Sequence, residues 1–254
     1  MDGSKHCIGI TAEGIVYSWG KSNAMGQLGR PTQRDSKIPK PVLLPVDMAA
    51  DPPAMRAYAG GSHESGHSVL VSMANNDVLV AGCDRWQQLG LGSAAGGSSG
   101  YTWEGGQIWR TQFVKNLFIA DLMQTMSGSR GIRDVALGGD HTVILSENQR
   151  DVYTFGKGGE GQLGVSGKPF VSAPVRSTML SSSSSRQHAM IAAVCAVHHC
   201  SLTLDTNGEV LNTAGKCRMG NKDVVQAIQS CQERAEREGL LRRNLDMMPT
   251  TNIG

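Results

Sequence analysis

The feature that most constrains the fold is a short motif that occurs four times along the chain. Its copies are VYSWG at 16–20, VLVAG at 78–82, VYTFG at 152–156 and LNTAG at 211–215. The first three are followed by a tail ending in Gln-Leu-Gly, whereas the fourth keeps only Arg-Met-Gly at 218–220. Self-similarity at long spacing is typical of repeat architectures. The sequence therefore predicts a row of similar structural units.

A second element lies upstream of each copy at nearly constant distance. His67 and His141 each precede their motif glycine by 15 positions, and His6 precedes its glycine by 14. In the last copy Cys200 takes the place of the histidine. These four anchors are 61, 74 and 59 residues apart. The repeat is thus long and varies in length.

Each repeat contains four candidate strands with alternating apolar and polar residues. In the third repeat they begin near 134, 142, 151 and 173, and Gly-rich or Asn-rich turns separate them. Short strands joined in this way pair as antiparallel hairpins. Four such strands per repeat are typical of a propeller blade. We expect an all-β protein, a partial β-propeller of about four blades, each an antiparallel four-stranded sheet, followed by a C-terminal α-helix.

The composition agrees with many turns in a globular chain. The 254 residues include 32 glycines, which tolerate positive φ, and the net charge of +2 indicates no polyanionic partner. No apolar run is long enough to span a membrane, so we expect no membrane contact. Six cysteines without a Cys-x-x-Cys pair or a preceding signal segment favour reduced thiols. We expect an intracellular location, with the cytoplasm favoured and the nucleus, mitochondrion or cilium left open.

The boundaries follow from where the repeat pattern stops. We assign the repeats to 1–221, with an insertion at about 93–130, and a C-terminal amphipathic helix to 222–243, followed by a tail at 244–254. Asn221 is suited to cap that helix. One helical face carries the apolar residues Val224, Ile228, Cys231 and Ala235. Because the chain starts almost at His6, the first blade is expected to lack one strand.

The insertion carries large aromatic side chains after a flexible Gly/Ser stretch. The candidate partner-binding residues are Tyr101, Trp103, Trp109 and Arg110. Buried aromatic anchors often dominate protein interfaces. The alternative is that both tryptophans cover the outer strand of their own blade, since tryptophan tends to be buried.

These residues resemble the regulator-of-chromosome-condensation repeat family. The third copy is nearly complete, with Gly-Gly-Asp-His-Thr at 138–142, the motif at 152–156 and Gly-Gln-Leu-Gly at 161–164. The resemblance implies a β-propeller, although members usually close seven blades and four copies are present here. It implies that the motif aromatic packs between blades and that glycine permits a tight turn. The repeat-structural residues are then Trp19, Gly20, Gly82, Phe155, Gly156, Gly215, His6, His67, His141 and Cys200.

Catalytic and metal chemistry find little support in the sequence. The histidines occupy equivalent points of different blades, so we expect each to bond within its own blade and fix a turn. Cys195, His198, His199 and Cys200 are close in sequence, but strand alternation sends them to opposite faces. We expect no catalytic residues, no metal and no cofactor.

The predicted function is that of a non-enzymatic protein-protein interaction scaffold, a structural subunit or assembly factor of a larger complex. Its partners would be other protein subunits. The alternative, which the resemblance implies, is a guanine-nucleotide exchange factor acting on a small GTPase. No basic cluster with interleaved aromatic residues occurs, so direct nucleic-acid binding is not expected.

Overall fold

The computed structural model describes residues 6–45, 55–62, 64–75, 77–92, 109–125, 131–182 and 190–241. Within these residues the chain forms four antiparallel sheets in sequence order, called blades I to IV below. Blade I contains β1 (His6–Ile10), β2 (Val16–Gly20) and β3 (Ser36–Pro41). Blade II contains β4 (Met55–Gly60), β5 (His67–Ser72), β6 (Val78–Cys83) and β7 (Trp109–Lys115). Blade III contains β8 (Ile132–Leu137), β9 (His141–Ser146), β10 (Val152–Lys157) and β11 (Phe170–Arg176), and blade IV contains β12 (Ile191–Val197), β13 (Cys200–Asp205) and β14 (Val210–Gly215).

The strands within each blade are hydrogen-bonded in chain order, as expected of a propeller blade. The first strands of blades II, III and IV follow one another, since β4 contacts β8 and β8 contacts β12, and β4 also contacts β1 of blade I. These strands form the inner side of the arc. The anchors His67, His141 and Cys200 all stand at the start of the second strand of their blade.

The prediction of four-stranded sheets holds for blades II and III, and blade IV shows three of its four predicted strands in the described residues. Blade I has three strands in the part of the chain that the structure describes. Blade IV also has three strands among the described residues, because the chain turns into a helix soon after β14 instead of returning as an outer strand.

The motif glycine marks a bulge in the pairing of the last two strands of a blade. The register shifts just before Gly20, Gly82 and Gly156, whose φ angles are 146°, 109° and 103°. A Cβ atom at Gly156 would lie 2.5 Å from the Asp140 carbonyl oxygen. Glycine is needed here for its backbone conformation and for space. The glycine therefore acts within the sheet, and not only in the turn that follows it.

The core consists of apolar layers between successive blades. Val16 and Val42 of blade I pack against Leu70, Leu79 and Phe113 of blade II. A second layer between blades II and III and a third between blades III and IV are built in the same way. The blades thus stabilise one another mainly through burial of apolar side chains.

Two helices complete the described structure. Helix α1 (Leu117–Thr125) follows β7, and the Asn116 side chain caps it by accepting from the Ile119 amide at 2.9 Å. Helix α2 (Lys222–Arg237) begins after Asn221, whose side chain accepts from the Asp223 amide as predicted. It ends before the predicted residue 243, because Gly239 adopts a φ of 67° and terminates the helical hydrogen bonds.

Candidate functional site

Each blade is joined to the next by a histidine and a hydroxyl group. The Nε2 atom of each anchor histidine lies 2.7 to 3.0 Å from a hydroxyl oxygen of the following blade. That hydroxyl donates to the carbonyl oxygen of the tail glutamine in the histidine's own blade, at 2.7 to 2.8 Å. We call these three triads the interblade relay: His6–Ser68–Gln27, His67–Thr142–Gln88 and His141–Ser201–Gln162.

The relay fixes the protonation state of the histidines. Because each hydroxyl hydrogen points to a carbonyl oxygen, the imidazole donates its Nε2 hydrogen and its Nδ1 carries none. The three Nδ1 atoms are buried and have no hydrogen-bond partner among the described residues. Burial lowers the pKa of His6 to about 3, that of His67 to about 4 and that of His141 to about 3. The relay histidines are therefore neutral and structural.

The expectation that each histidine bonds within its own blade is wrong. His67 and Thr142 are 75 positions apart, and the bond between them crosses from blade II to blade III. The sequence did contain a signal, since Ser68, Thr142 and Ser201 each follow directly after an anchor residue. Neighbouring strand residues point to opposite faces, so the anchor faces one adjacent blade and the hydroxyl faces the other.

The motif aromatic packs between blades, as the resemblance implied. The Phe155 ring of blade III lies against Gly90, the last residue of the blade II tail. Gly90 has a φ of 66°, and a Cβ atom there would lie 2.7 Å from the ring. The same tail position in blade I, Gly29, faces Phe113 of blade II. The tail ends in glycine because an aromatic ring of the next blade occupies the space of a side chain.

A lysine after the motif glycine forms a third interblade contact. The Lys157 ammonium of blade III lies 4.7 Å from the centre of the Trp86 ring of blade II. At the same position in blade IV, Lys216 forms an ion pair with Glu160 of blade III. The Lys157 ammonium is attracted to the face of the ring, and the Lys216 ammonium is attracted to the carboxylate.

The outer face of blade IV is closed by α2. Leu202 and Leu204 of β13 pack against Val224, Cys231 and Ala235 of the helix. This confirms the predicted apolar face of the helix and places it where a following blade would stand.

Cys200 ends the relay in the last blade. It occupies the anchor position but forms a disulfide with Cys217, so it makes no bond to a following blade. The prediction of reduced thiols throughout is therefore wrong for this pair. The remaining cysteines with free thiols in the described residues are Cys7, Cys83, Cys195 and Cys231. Spacing along the chain did not indicate the pair, because β14 and the turn after it bring residue 217 back beside residue 200.

Helix α2 is also held by a buried ion pair with the inner side of blade III. The Arg234 guanidinium binds both carboxylate oxygens of Asp134, which is fully buried, and Nη2 lies 3.0 Å from Oδ2. The same carboxylate accepts from the Val194 amide of blade IV at 3.0 Å. The Tyr58 ring of blade II lies 5.9 Å from the guanidinium carbon. One arginine therefore joins the helix to three blades.

In blades II to IV, one face of the sheet packs against the preceding blade. The corresponding face of blade I is exposed. Cys7 follows the anchor His6, so it stands where the relay hydroxyls stand, and it is exposed. Trp19 is paired with Cys7 across the strands, as Phe155 is paired with Thr142 in blade III. Trp19 is partly exposed, whereas Phe155 is fully buried.

Further residues extend this surface. Lys21 follows the motif glycine, like Lys157, and is exposed. The Trp19 ring lies over Gly9, where a Cβ atom would be 3.3 Å from the ring, and Tyr17 is partly exposed beside it. We call this surface the open face; its residues are Cys7, Gly9, Tyr17, Trp19 and Lys21.

The predicted partner-binding residues are only partly described. Tyr101 and Trp103 lie outside the described residues. Trp109 and Arg110 begin β7 and are partly exposed, paired with Cys83 and Gly82. The Arg110 backbone packs against Gly26 in the turn of blade I. Trp109 and Arg110 therefore lie at the rim between blades I and II.

Metal ligands do not converge in the described part of the chain, where no group of three or more His, Cys, Asp or Glu side chains could hold an ion. Of the cysteines and histidines considered as ligands from the sequence, Cys200 is bonded to Cys217, and the Nε2 atom of His198 lies 3.4 Å from Oδ2 of Asp223. No helix in the described residues is long and apolar enough to cross a membrane.

Comparison with protein families assigns the repeats. A model described as "Regulator of chromosome condensation (RCC1) repeat" matches residues 13–64 and 151–202, and a second model with the same description matches 132–162. The Protein RCC2 homolog of Danio rerio is 29% identical over 177 residues, which are 64% of this chain and 31% of that protein. The Secretion-regulating guanine nucleotide exchange factor of Mus musculus is 29% identical over 160 residues, 61% of this chain and 27% of that protein.

A solved structure shares the fold. Prp20p from Saccharomyces cerevisiae, whose structure was reported with its binding properties to Gsp1p and histones, superposes with a TM-score of 0.55 at 19% identity. The match covers 93% of this chain and 46% of Prp20p. The chain therefore spans less than half of that propeller and about a third or less of the two relatives.

Proposed function

Because this chain belongs to the family of proteins built from regulator of chromosome condensation repeats, we propose that it is a protein-interaction subunit whose open face receives a repeat blade of a partner protein. The observation that carries the proposal is the difference between the two ends of the arc. Helix α2 covers blade IV, whereas Cys7, Trp19 and Lys21 on blade I are exposed or partly exposed.

The interfaces inside the chain indicate what the partner blade should contain. A tail glycine with positive φ would receive the Trp19 ring, as Gly90 receives Phe155. An aromatic or acidic side chain would face Lys21, as Trp86 and Glu160 face the later lysines. A second copy of this chain is poorly suited, because its own terminal blade is covered by α2 and its tail has decayed to Arg-Met-Gly.

The open face differs from the internal interfaces at the sulfur atom of Cys7, which should affect how tightly a partner blade binds. Cys7 presents a thiol where blades II to IV present a hydroxyl. A thiol is a weak hydrogen-bond donor and acceptor, so a histidine of the partner would gain little from it. This favours a separable association between two proteins over a permanent blade contact.

The proposal is tested on the complex isolated from its source cells, with native mass spectrometry giving the stoichiometry and the intact mass of each subunit. Trp19→Ala and Lys21→Glu should each lower the amount of partner retained. Lys168→Glu makes the same charge change on an exposed residue of blade III and should retain the partner. Cross-links from Lys21 to residues that flank the tail of a partner blade would support the proposal. Unchanged retention by the Trp19 variant would overturn it.

A second proposed contact is the loop predicted from the sequence, of which Trp109 and Arg110 lie at the rim of blades I and II, whereas Tyr101 and Trp103 lie outside the described residues. Trp103→Ala and Trp109→Ala should weaken partner binding if this loop is part of the interface. Unchanged affinity of both variants would remove the loop from the proposal and leave the open face as the contact.

A second candidate function is guanine-nucleotide exchange on a small GTPase. It is favoured by the relative named as an exchange factor and by the reported binding of Prp20p to Gsp1p. The test is the release of a fluorescent guanine nucleotide from a set of small GTPases. Accelerated release at catalytic amounts of the chain would support exchange. An unchanged rate, with stoichiometric co-purification, would leave the interaction subunit as the function.

A further inference from the structure

Two buried thiols meet where α2 packs on blade IV. Cys195 of β12 and Cys231 of α2 belong to the same apolar cluster, and both residues line the cavity between the helix and the blades. The Cys231 sulfur also lies 3.2 Å from the Val194 carbonyl oxygen, beside Cys195 in the chain. The two residues are 36 positions apart and on different elements, so a bond between them would join the helix covalently to the blade.

The two thiols differ in their electrostatic surroundings. Nη2 of Arg234 lies 3.6 Å from the Cys231 sulfur. The neighbouring Cys195 thiol lowers the pKa of Cys231, and the guanidinium acts in the same direction against the effect of burial. The Cys231 thiol and burial together raise the pKa of Cys195 well above its usual value. Cys231 is therefore the better nucleophile, since the thiolate is the reactive form.

Both sulfur-bearing residues can be reached from a cavity. A space of about 490 Å³ lies between α2 and the inner strands of blades II, III and IV, and its lining includes Cys195, Cys231 and Arg234. A hydroperoxide of the size of hydrogen peroxide fits easily into this volume. Cys83 differs in each of these respects, because it is buried in blade II and burial raises its pKa to about 11.

We propose that Cys195 and Cys231 are a redox-active pair that a hydroperoxide converts to a disulfide, fastening α2 over the outer face of blade IV. The Cys231 thiolate attacks one peroxide oxygen, the O–O bond breaks, and the leaving hydroxide takes up a proton to become water. The resulting sulfenic acid is attacked by the Cys195 sulfur, which forms the S–S bond and releases a second water. Two thiols are oxidised by two electrons while one hydrogen peroxide is reduced to two waters.

The pair complements the disulfide already present in the same cluster. Cys200–Cys217 closes the end of blade IV within itself, whereas Cys195–Cys231 would fix the helix that covers the blade. Oxidation is therefore expected to slow exchange of the α2 amide hydrogens, because opening of the helix from β12 would be blocked.

The test treats the full chain with hydrogen peroxide, blocks the remaining thiols by alkylation under denaturing conditions, and maps the disulfides by peptide mass spectrometry. We expect a Cys195–Cys231 linked peptide, a loss of two alkylatable thiols and slower hydrogen exchange in α2. In Cys195→Ser, dimedone should trap a sulfenic acid on Cys231. Cys83→Ser is the matched control and should form the linked peptide at the wild-type rate.

Two results would overturn the proposal. One is oxidation of the exposed Cys7 while Cys195 and Cys231 both remain alkylatable. The other is a set of exchanged disulfides that join Cys231 to Cys200 or Cys217, which would mean that the pre-existing disulfide is the reactive group. Because the linked peptide is sought in the wild-type protein, the test does not depend on the folding of any variant.

Discussion

The Nε2 atom of His67 lies 3.0 Å from the hydroxyl oxygen of Thr142, so one hydrogen bond joins blade II to blade III across 75 positions of sequence. Thr142 passes its own hydrogen to the Gln88 carbonyl oxygen at 2.8 Å. Both partners of this hydroxyl are buried, and the arrangement occurs three times along the arc. Because these groups are buried, water cannot replace the hydrogen bonds that join the two blades.

We predict that Thr142→Val lowers the free energy of unfolding by about 2–4 kcal/mol, because it leaves a buried imidazole N–H and a buried carbonyl without partners. The measurement is equilibrium unfolding in urea. Thr213→Val makes the same chemical change at an exposed position of β14 and should stay within about 0.5 kcal/mol of the wild type. An equal effect of the two substitutions would show that the relay does not contribute.

The relay also predicts a dependence of stability on pH. The folded-state pKa values of His6, His67 and His141 are about 3, 4 and 3, below the ordinary value of 6.5. At pH values between the folded-state pKa values and 6.5, the unfolded chain binds up to three more protons than the folded chain. Stability is therefore fully present above pH 6.5 and is lost as the pH falls, with a limiting slope of about 4 kcal/mol per pH unit.

Asp84 opposes this trend by one proton. Burial raises the pKa of Asp84 to about 6, above its ordinary value of 3.8. Between these two values the folded chain holds a proton at Asp84 that the unfolded chain has released, so this group adds stability as the pH falls. The net slope near pH 5 is then about 2.7 kcal/mol per unit. His141→Gln should reduce the slope by about 1.4 kcal/mol per unit, as measured by urea unfolding at several pH values. A slope unaltered by this substitution would mean that His141 is not neutral in the folded state.

The contact between Gly90 and Phe155 predicts a large effect of one methyl group. Gly90→Ala should destabilise the fold by about 2–4 kcal/mol, since it adds left-handed backbone strain to overlap with the ring. Gly167 has a similar φ of 71° but no atom within 4 Å of its Cβ position, so Gly167→Ala isolates the backbone part. Thermal and urea unfolding of both variants give the difference. If the two variants lost the same stability, the ring contact would have no share in the effect.

The ion pair between Arg234 and Asp134 predicts that α2 is anchored by charge as well as by apolar contact. Arg234→Met should cost about 3–5 kcal/mol, because it leaves the buried Asp134 carboxylate uncompensated. Adding Asp134→Asn should restore part of the loss, and Arg237→Met at an exposed position of the same helix should have little effect. Failure of the second substitution to restore any stability would argue against an electrostatic anchor.

The strands and the repeat order could be predicted because they depend on local patterns. The alternation in 152–156, the turn glycines and the apolar face around Val224 are each visible within a few residues. These features need no knowledge of what lies across the fold.

The contacts that define the site could not be predicted in this way. The partner of His141 is 60 positions away, and that of Arg234 is 100 positions away. The disulfide between Cys200 and Cys217 depends on where β14 returns, which spacing alone does not reveal. The helix in place of a fourth strand in blade IV likewise depends on the apolar face of β13 that it covers.

Alkylation of Cys7, which lies in the open face and is exposed in the isolated chain, reports whether a partner covers this face. We predict that in the native complex the rate of reaction with N-ethylmaleimide falls at least about tenfold, because the reagent must wait for the partner to separate. The three buried thiols serve as internal references. An equal rate in the complex and in the isolated chain would contradict the account, since the open face would then be free while the partner is bound.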